Sequence, residues 1–156
     1  MARVYLIENN PRSELFYSVD AAVGSGRPNH YDDVLLVQFL LKVSSECGAG
    51  HEEYVPPGTG PIVIDGICGS QTVKYIKRFQ QIGTLRNPAI PLTQDGVVSP
   101  VLAGSGSLDG ARTNRFLTIA ALNSVYGKIR GKAASRDITR DALFPRELSP
   151  YLKVSA

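Results

Sequence analysis

Tryptophan is absent, methionine occurs once, and only two cysteines and two histidines stand among the 156 residues. Two cysteines, Cys47 and Cys68, cannot build the disulfide framework of a small secreted scaffold, and their spacing fits no zinc motif. Cys68, inside the Asp-Gly turn, reads as a buried thiol and Cys47 as an ordinary structural one, with a Cys47–Cys68 bridge as the alternative. The histidines, His30 and His51, fall in connecting segments and do not supply the several converging ligands that a zinc peptidase needs. No apolar run approaches the ~20 residues required to cross a bilayer. The first nine residues, Met1 to Asn9, lack an apolar stretch of signal-peptide length and meet Glu8 early, so no ordinary export signal is expected.

What is present describes a folded domain. Apolar residues make up 43% and charged residues 20%, a globular balance in a chain long enough to bury a core. The net charge of +3 is unevenly spread: residues 1–110 carry 8 Lys/Arg against 11 Asp/Glu, and residues 111–156 carry 9 against 3. A basic C-terminal third is compatible with an anionic partner, but its charges form no dense block and have no stacking aromatics between them. A solvated basic face is the better reading, and nucleic acid the weakest of the partner classes. Glu46, Glu52 and Glu53 cluster in a loop without the placement across a sugar that glycoside hydrolysis demands. Neither cysteine lies beside a motif that would activate it as a nucleophile. No catalytic set, metal site or cofactor motif emerges.

The chain is organised around Asp65-Gly66-Ile67-Cys68-Gly69-Ser70-Gln71-Thr72, which runs into Val73-Lys74-Tyr75-Ile76-Lys77-Arg78-Phe79-Gln80. The first part is turn chemistry: Gly66 and Gly69 accept backbone angles that other residues resist, and Ser70 offers a cap for the following helix. A second Asp-Gly turn, Asp95-Gly96, follows 30 residues later. Around these, a hairpin is expected from Val4–Ile7 and Leu15–Val19 with a turn at Asn9–Ser13. A first helix, capped by Asp32 or Asp33, covers Val34–Val43 and is apolar on every side except at Gln38. Such a helix must be covered all round, and the hairpin is the available cover. Ser44–Pro61 reads as loop and Ile62–Ile64 as a strand-like run. The second helix is expected over Gln71–Gln81, stopped by Gly83, with Val73, Ile76 and Phe79 inward. Gly104–Ser107 reads as flexible. A third helix is expected from Arg112 to Gly127, with Phe116, Ile119, Ala120 and Leu122 inward. Asp137–Leu143 reads as a short helix, after which Pro145 and Pro150 exclude a long regular element.

These residues carry a resemblance. Val34, Val37-Gln38 and Leu41, then Asp65-Gly66, Gly69 and Thr72, then Phe79-Gln80, then Asp95-Gly96 are similar to the motifs of the bacterial peptidoglycan-binding domain family. The match spans residues 24 to about 126. The resemblance implies a mainly α, three-helix bundle with long loops and the N-terminal hairpin, the two Asp-Gly turns being related by pseudo-symmetry. It divides the chain into a hairpin arm (1–23), the binding-like domain (24–130) and a basic tail (131–156) packing on it. It also implies noncatalytic recognition of cell-wall glycopeptide, at the wall or periplasm; with no ordinary export signal expected, the chain is expected to be made in the cytoplasm and delivered by another route. Three departures stand out: Cys68 replaces an aromatic or bulky apolar residue, Ser99-Pro100 replaces Gly-x with no threonine at the family spacing, and three connections are long.

Gln38, Asp65, Gly66, Gly69, Thr72, Phe79, Gln80, Asp95 and Gly96 read as the structural motif, the glutamines bridging helix to turn and the aspartates accepting amides of their own turns. Ligand contact is expected from exposed residues of the second helix: Gln71, Lys74, Tyr75 and Arg78, with Tyr75 offering a ring and the cations pairing with peptide carboxylates. The rival expectation is a structural or assembly protein of a phage or secretion apparatus, using the scaffold to hold a protein partner or a second copy of itself.

Overall fold

The computed structural model describes residues 2–9, 12–101, 109–110 and 115–155. The chain is mainly helical with a β-hairpin at its N-terminus. Strands β1 (Arg3–Asn9) and β2 (Arg12–Ser18) pair antiparallel with Arg3 opposite Ser18. Helix α1 (Tyr31–Glu46), helix α2 (Ser70–Arg86) and helix α3 (Thr118–Arg130) follow. Two-residue strands β3 (Val23–Gly24) and β4 (Val97–Val98) pair antiparallel, as do β5 (Asp109–Gly110) and β6 (Arg115–Phe116). A one-turn helix α4 (Lys132–Ser135), 3-10 segments at Ile138–Arg140 and Arg146–Tyr151, and strand β7 (Lys153–Ser155) complete the chain. Strand β7 lies parallel to β1, giving the sheet order β2-β1-β7.

Helix α1 is the centre of the core. From Asp32 to Ser45 only Lys42 escapes burial, and its ammonium reaches Glu46 at 2.9 Å. The cover on its far side is not the hairpin but α3 and the C-terminal segments. Phe39 meets Tyr126 at 5.7 Å and Phe144 edge-on at 5.6 Å, with Leu148 fully buried nearby in the cluster. The hairpin packs chiefly on α3, where the Asn123 side-chain amide accepts from the Tyr17 amide at 2.9 Å and donates to the Tyr17 carbonyl at 2.8 Å. Asn123 thereby behaves as one extra residue of strand and shields part of the β2 edge. A single apolar cluster runs from Ala2, Val4 and Phe16 through the helices to Ile138 and Leu148.

Several boundaries differ from the sequence reading for identifiable reasons. Helix α1 begins at Tyr31, so Asp32 and Asp33 lie inside its first turn rather than capping it. Asp32 accepts from the Ala2 amide, and Asp33 accepts from the Asp20 and Ala21 amides at 2.9 and 3.0 Å. Buried carboxylates thus tie the hairpin to the helix start. Helix α2 passes through Gly83 to Arg86; the glycine does not stop it but lets Leu92 approach, since a Cβ there would lie 2.8 Å from Leu92 Cδ1. Ser70 makes no capping bond, and Gly69 is the cap residue in extended conformation. Ile62–Ile64 pairs with no strand; Val63 instead donates its amide to Gln71 Oε1 at 3.2 Å. Helix α3 begins at Thr118, because Arg115–Phe116 is spent on the β5–β6 pair. Asp137–Leu143 yields only one 3-10 turn, started by Asp137 accepting from the Thr139 amide at 3.1 Å. Both cysteines are free. Asn10, Pro11, Gly104–Ser107, Arg112 and the side chain of Phe116 lie outside the described residues.

Burial pushes the Asp33 carboxyl above its ordinary value of 3.8 despite the two amides it accepts. The fold therefore favours the protonated form. The stability that Asp33 contributes is fully present below the unfolded value and declines as pH rises through the folded one. Replacing Asp33 by asparagine removes that titration. Urea unfolding of the parent and of Asp33→Asn, at pH 7 and near pH 4, measures the effect: acidification should shift the stability difference in favour of the parent. The comparison belongs in a His30→Gln background, because His30 Nδ1 lies 3.7 Å from Asp33.

Candidate ligand-binding cleft

Two polar hubs of the same design position the three helices. In the first, Gln38 on α1 is 1% exposed. Its Oε1 accepts from the amides of Asp65 (3.0 Å) and Gly66 (2.9 Å), and its Nε2 reaches Asp65 Oδ1, the Ile67 carbonyl and Thr72 Oγ1 at 3.0, 3.0 and 3.1 Å. In the second, Gln80 on α2 is fully buried. Its Oε1 accepts from the Gly96 amide at 2.8 Å, and its Nε2 reaches Asp95 Oδ1, the Val97 carbonyl and Thr118 Oγ1 at 3.1, 3.1 and 3.0 Å. In each turn the aspartate also accepts from the amide two residues on, Ile67 at 2.9 Å and Val97 at 3.0 Å.

One helix's glutamine thus holds an Asp-Gly turn and the first residues of the next helix, and the arrangement repeats. Both turn glycines are left-handed, φ +75° at Gly66 and +70° at Gly96. The place that Thr72 takes in the first hub is taken in the second by Thr118. Among the described residues no buried side-chain polar atom lacks a partner.

The outer face of α2, where ligand contacts were expected, is occupied. Tyr75 is not an exposed ring: it is 1% exposed, and its hydroxyl donates to the Gly60 carbonyl at 2.8 Å. Burial is the main reason that its phenol is pushed up from its ordinary value. Gln71 is spent on the loop backbone, donating to the Pro61 carbonyl at 3.1 Å while accepting from Val63. Arg78 donates to the Glu53 carbonyl at 2.7 Å and to Gln81 at 2.9 Å. Of the four, Lys74 remains exposed and has no bond of this kind among the described residues. The physical reason is the long loop after α1. Its 3-10 turn His51–Tyr54 lies against α2, with Tyr54 stacked on Phe79 at 5.3 Å. Arg86 clamps the turn, holding Glu53 Oε2 and the Gly50 carbonyl at 3.0 Å each with its guanidinium 4.8 Å above the Tyr54 ring.

A cleft opens instead at the other end of α2. It has a volume of about 470 Å³ and lies between the last turns of α1 and α2, the loops that follow them, and the outer face of α3. Its floor is apolar, with Phe79, Leu92, Val125 and Ile129. Gly48, Ala49, Gly83 and Ala121 also line it, with Gly48 packed against Ile129 and Gly83 against Leu92. Arg86, Asn87, Ser124 and Lys128 supply polar groups, and no carboxylate lines it. Ala121, Ser124, Val125 and Lys128 follow one helical stripe, a pattern visible in the sequence but there indistinguishable from an ordinary amphipathic face.

Among the described residues no three His, Cys, Asp or Glu side chains converge to hold a metal ion. His51 Nδ1 lies 2.9 Å from the Ser45 carbonyl, and Cys47 Sγ lies 3.4 Å from Arg130 Nη2, itself paired with Asp141. No helix is long and apolar enough to cross a membrane among the described residues. No protein family, no curated protein and no solved structure matches the chain.

Proposed function

We propose that the protein is a noncatalytic module that recognises bacterial cell-wall peptidoglycan, built on a three-helix scaffold of the peptidoglycan-binding type. The observation that carries this reading is the pair of Gln–Asp-Gly–Thr hubs. Their polar groups are satisfied internally and serve to fix three helices and two turns, which is what a rigid recognition scaffold requires. The cleft between α2 and α3 provides the concave surface, within the ~300–1,000 Å³ typical of small-ligand sites. On this reading the protein works at the cell wall. Incubation with purified sacculi followed by sedimentation is the test: enrichment in the pellet over a no-wall control is expected, and equal recovery with and without sacculi would sink the proposal.

A second reading is favoured by one specific observation, the loop filling the face of α2. A scaffold whose expected contact face is closed suits a structural or assembly protein that engages a protein partner through other surfaces. Size-exclusion chromatography with light scattering separates the two. A stable dimer or ring, with no retention on sacculi, supports assembly over wall capture.

A further inference from the structure

We propose that Asp95-Gly96 is a site of spontaneous covalent modification, isomerisation to isoaspartate, and that Gln80 is the gate that keeps it closed in the folded protein. The inference stands apart from what the scaffold binds. Asp-Gly is the sequence step at which this chemistry is easiest, because glycine puts no Cβ in the way of its own amide nitrogen. The glycine nitrogen gives up its proton and attacks Cγ of the aspartic acid. The carboxyl OH leaves with that proton as water, and a succinimide ring joins the two residues. Water then opens the ring. Addition at the former side-chain carbonyl restores aspartate; addition at the main-chain carbonyl leaves isoaspartate. The product has the mass of the starting chain, but its main chain is longer by one methylene.

Both Asp-Gly turns are held against this reaction, but unequally. The attacking nitrogen must first lose its proton, and both glycine amides are buried and bonded: Gly66 to Gln38 Oε1 at 2.9 Å and Gly96 to Gln80 Oε1 at 2.8 Å. The carbon under attack is held as well. Asp65 Oδ1 accepts from the Ile67 amide and Gln38 Nε2 at 2.9 and 3.0 Å, and Asp95 Oδ1 from the Val97 amide and Gln80 Nε2 at 3.0 and 3.1 Å. Both aspartates are exposed, so water reaches the ring once it has formed. The difference lies in the glutamine oxygen. Gln38 Oε1 also takes the Asp65 amide at 3.0 Å and so grips both residues of the first turn. Gln80 Oε1 takes the Gly96 amide alone among the described residues. The second turn therefore opens more readily, and Asp95 is the site that reacts first. Isoaspartate there lengthens the main chain ahead of Gly96 and draws its amide away from Gln80, so the lesion undoes the hub that held it off.

The experiment keeps the full chain warm at neutral pH, folded and separately in urea. Isoaspartate is read by enzymatic methylation with an isoaspartate methyltransferase and by peptide mapping with fragmentation that separates isomers of equal mass. In urea Asp65 and Asp95 should react at similar rates. Folded, both should be slower by roughly tenfold or more, with Asp95 the faster of the two. Gln80→Leu should speed Asp95 roughly tenfold or more, the opening expected from one lost buried bond, and leave Asp65 unchanged; Gln38→Leu should do the reverse. Asp109-Gly110 in β5, a third step of the same sequence, is the internal reference that neither variant moves. Because Gln80→Leu also lowers stability, hydrogen exchange in the parent gives a second reading. It removes the same amide proton, so Gly96 should exchange faster than Gly66. Isomerisation as fast in the folded chain as in urea, or Asp65 ahead of Asp95 in the folded parent, overturns the proposal. So does a Gln80→Leu protein in which Asp65 and Asp95 speed up together, or in which neither does.

Discussion

Replacing Gln80 by leucine should lower the melting temperature by roughly 6–12 °C, from a loss of about 3 kcal/mol at the ~2–4 °C per kcal/mol expected for a chain of this size. Leucine fits the volume, so the loss is one of hydrogen bonding. The Gly96 amide, the Val97 carbonyl and Thr118 Oγ1 each lose a partner in a place where Gln80 is fully buried. A stranded buried donor or acceptor costs ~1–3 kcal/mol, moderated where water can reach it. Asp95 suffers less, because its Oδ1 keeps the Val97 amide at 3.0 Å. The two hydrogens of Nε2 face three acceptors, so one contact is shared and the sum of three full bonds is not expected.

Gln80→Glu separates polarity from shape. An ionised carboxylate would replace the amide that donates to Asp95, placing two negative oxygens together, while a protonated one can still donate. Burial and Asp95 both raise the new residue's folded pKa, so stability should be recovered below the unfolded glutamate value of about 4.3 and lost as pH rises through the folded value. Thermal melts at pH 7 and pH 4 read this directly. A Gln80→Leu protein within 1 kcal/mol of the parent would show that the hub is incidental to the fold.

The hubs also explain how much was legible beforehand. The first hub could be read because Asp65-Gly66 and Thr72 fall within one short stretch and Gln38 is the lone polar residue of an apolar helix. The second hub was half legible: Gln80 and Asp95-Gly96 stood out, but Thr118 lies 23 residues beyond Asp95, where Thr72 lies 7 beyond Asp65, and only folding brings it back. The α2 contact face was misjudged for a similar reason. Helical periodicity places Tyr75 and Arg78 off the inward stripe, but it cannot say that a distant loop will lie on them. Nothing local in Gly50–Gly60 announces that Tyr54 stacks on Phe79 or that Arg86 clamps the turn. The cleft was missed because it is made by four segments, none of which is unusual alone. Gly83 misled for a different reason: glycine at a helix end suggests termination, whereas here it serves the approach of Leu92.

Substituting alanine for Gly24 should cost about 3–5 kcal/mol, against about 1 kcal/mol for the same change at Gly26 two residues on. Both glycines have positive φ, +152° and +69°, so both substitutions strain the backbone. They differ in what a Cβ would meet. At Gly26 nothing lies within 4 Å, and the cost is conformational only. At Gly24 the new carbon would sit 2.6 Å from the Gly96 carbonyl oxygen and 3.1 Å from Val97 Cα, both main-chain atoms that cannot rotate away. Relief would require strand β3 to withdraw from β4, or the second Asp-Gly turn to move. The turn is held by Gln80 through the Gly96 amide, and β3 by Asn29, whose side chain bonds both the amide and the carbonyl of Gly24 at 2.8 and 2.9 Å. Either movement therefore breaks bonds in addition to relieving the clash, which is why the larger figure is expected. Urea unfolding of the two variants side by side measures the difference. Equal losses would mean that β3 and β4 separate at little cost, and that the second turn is held by Gln80 alone.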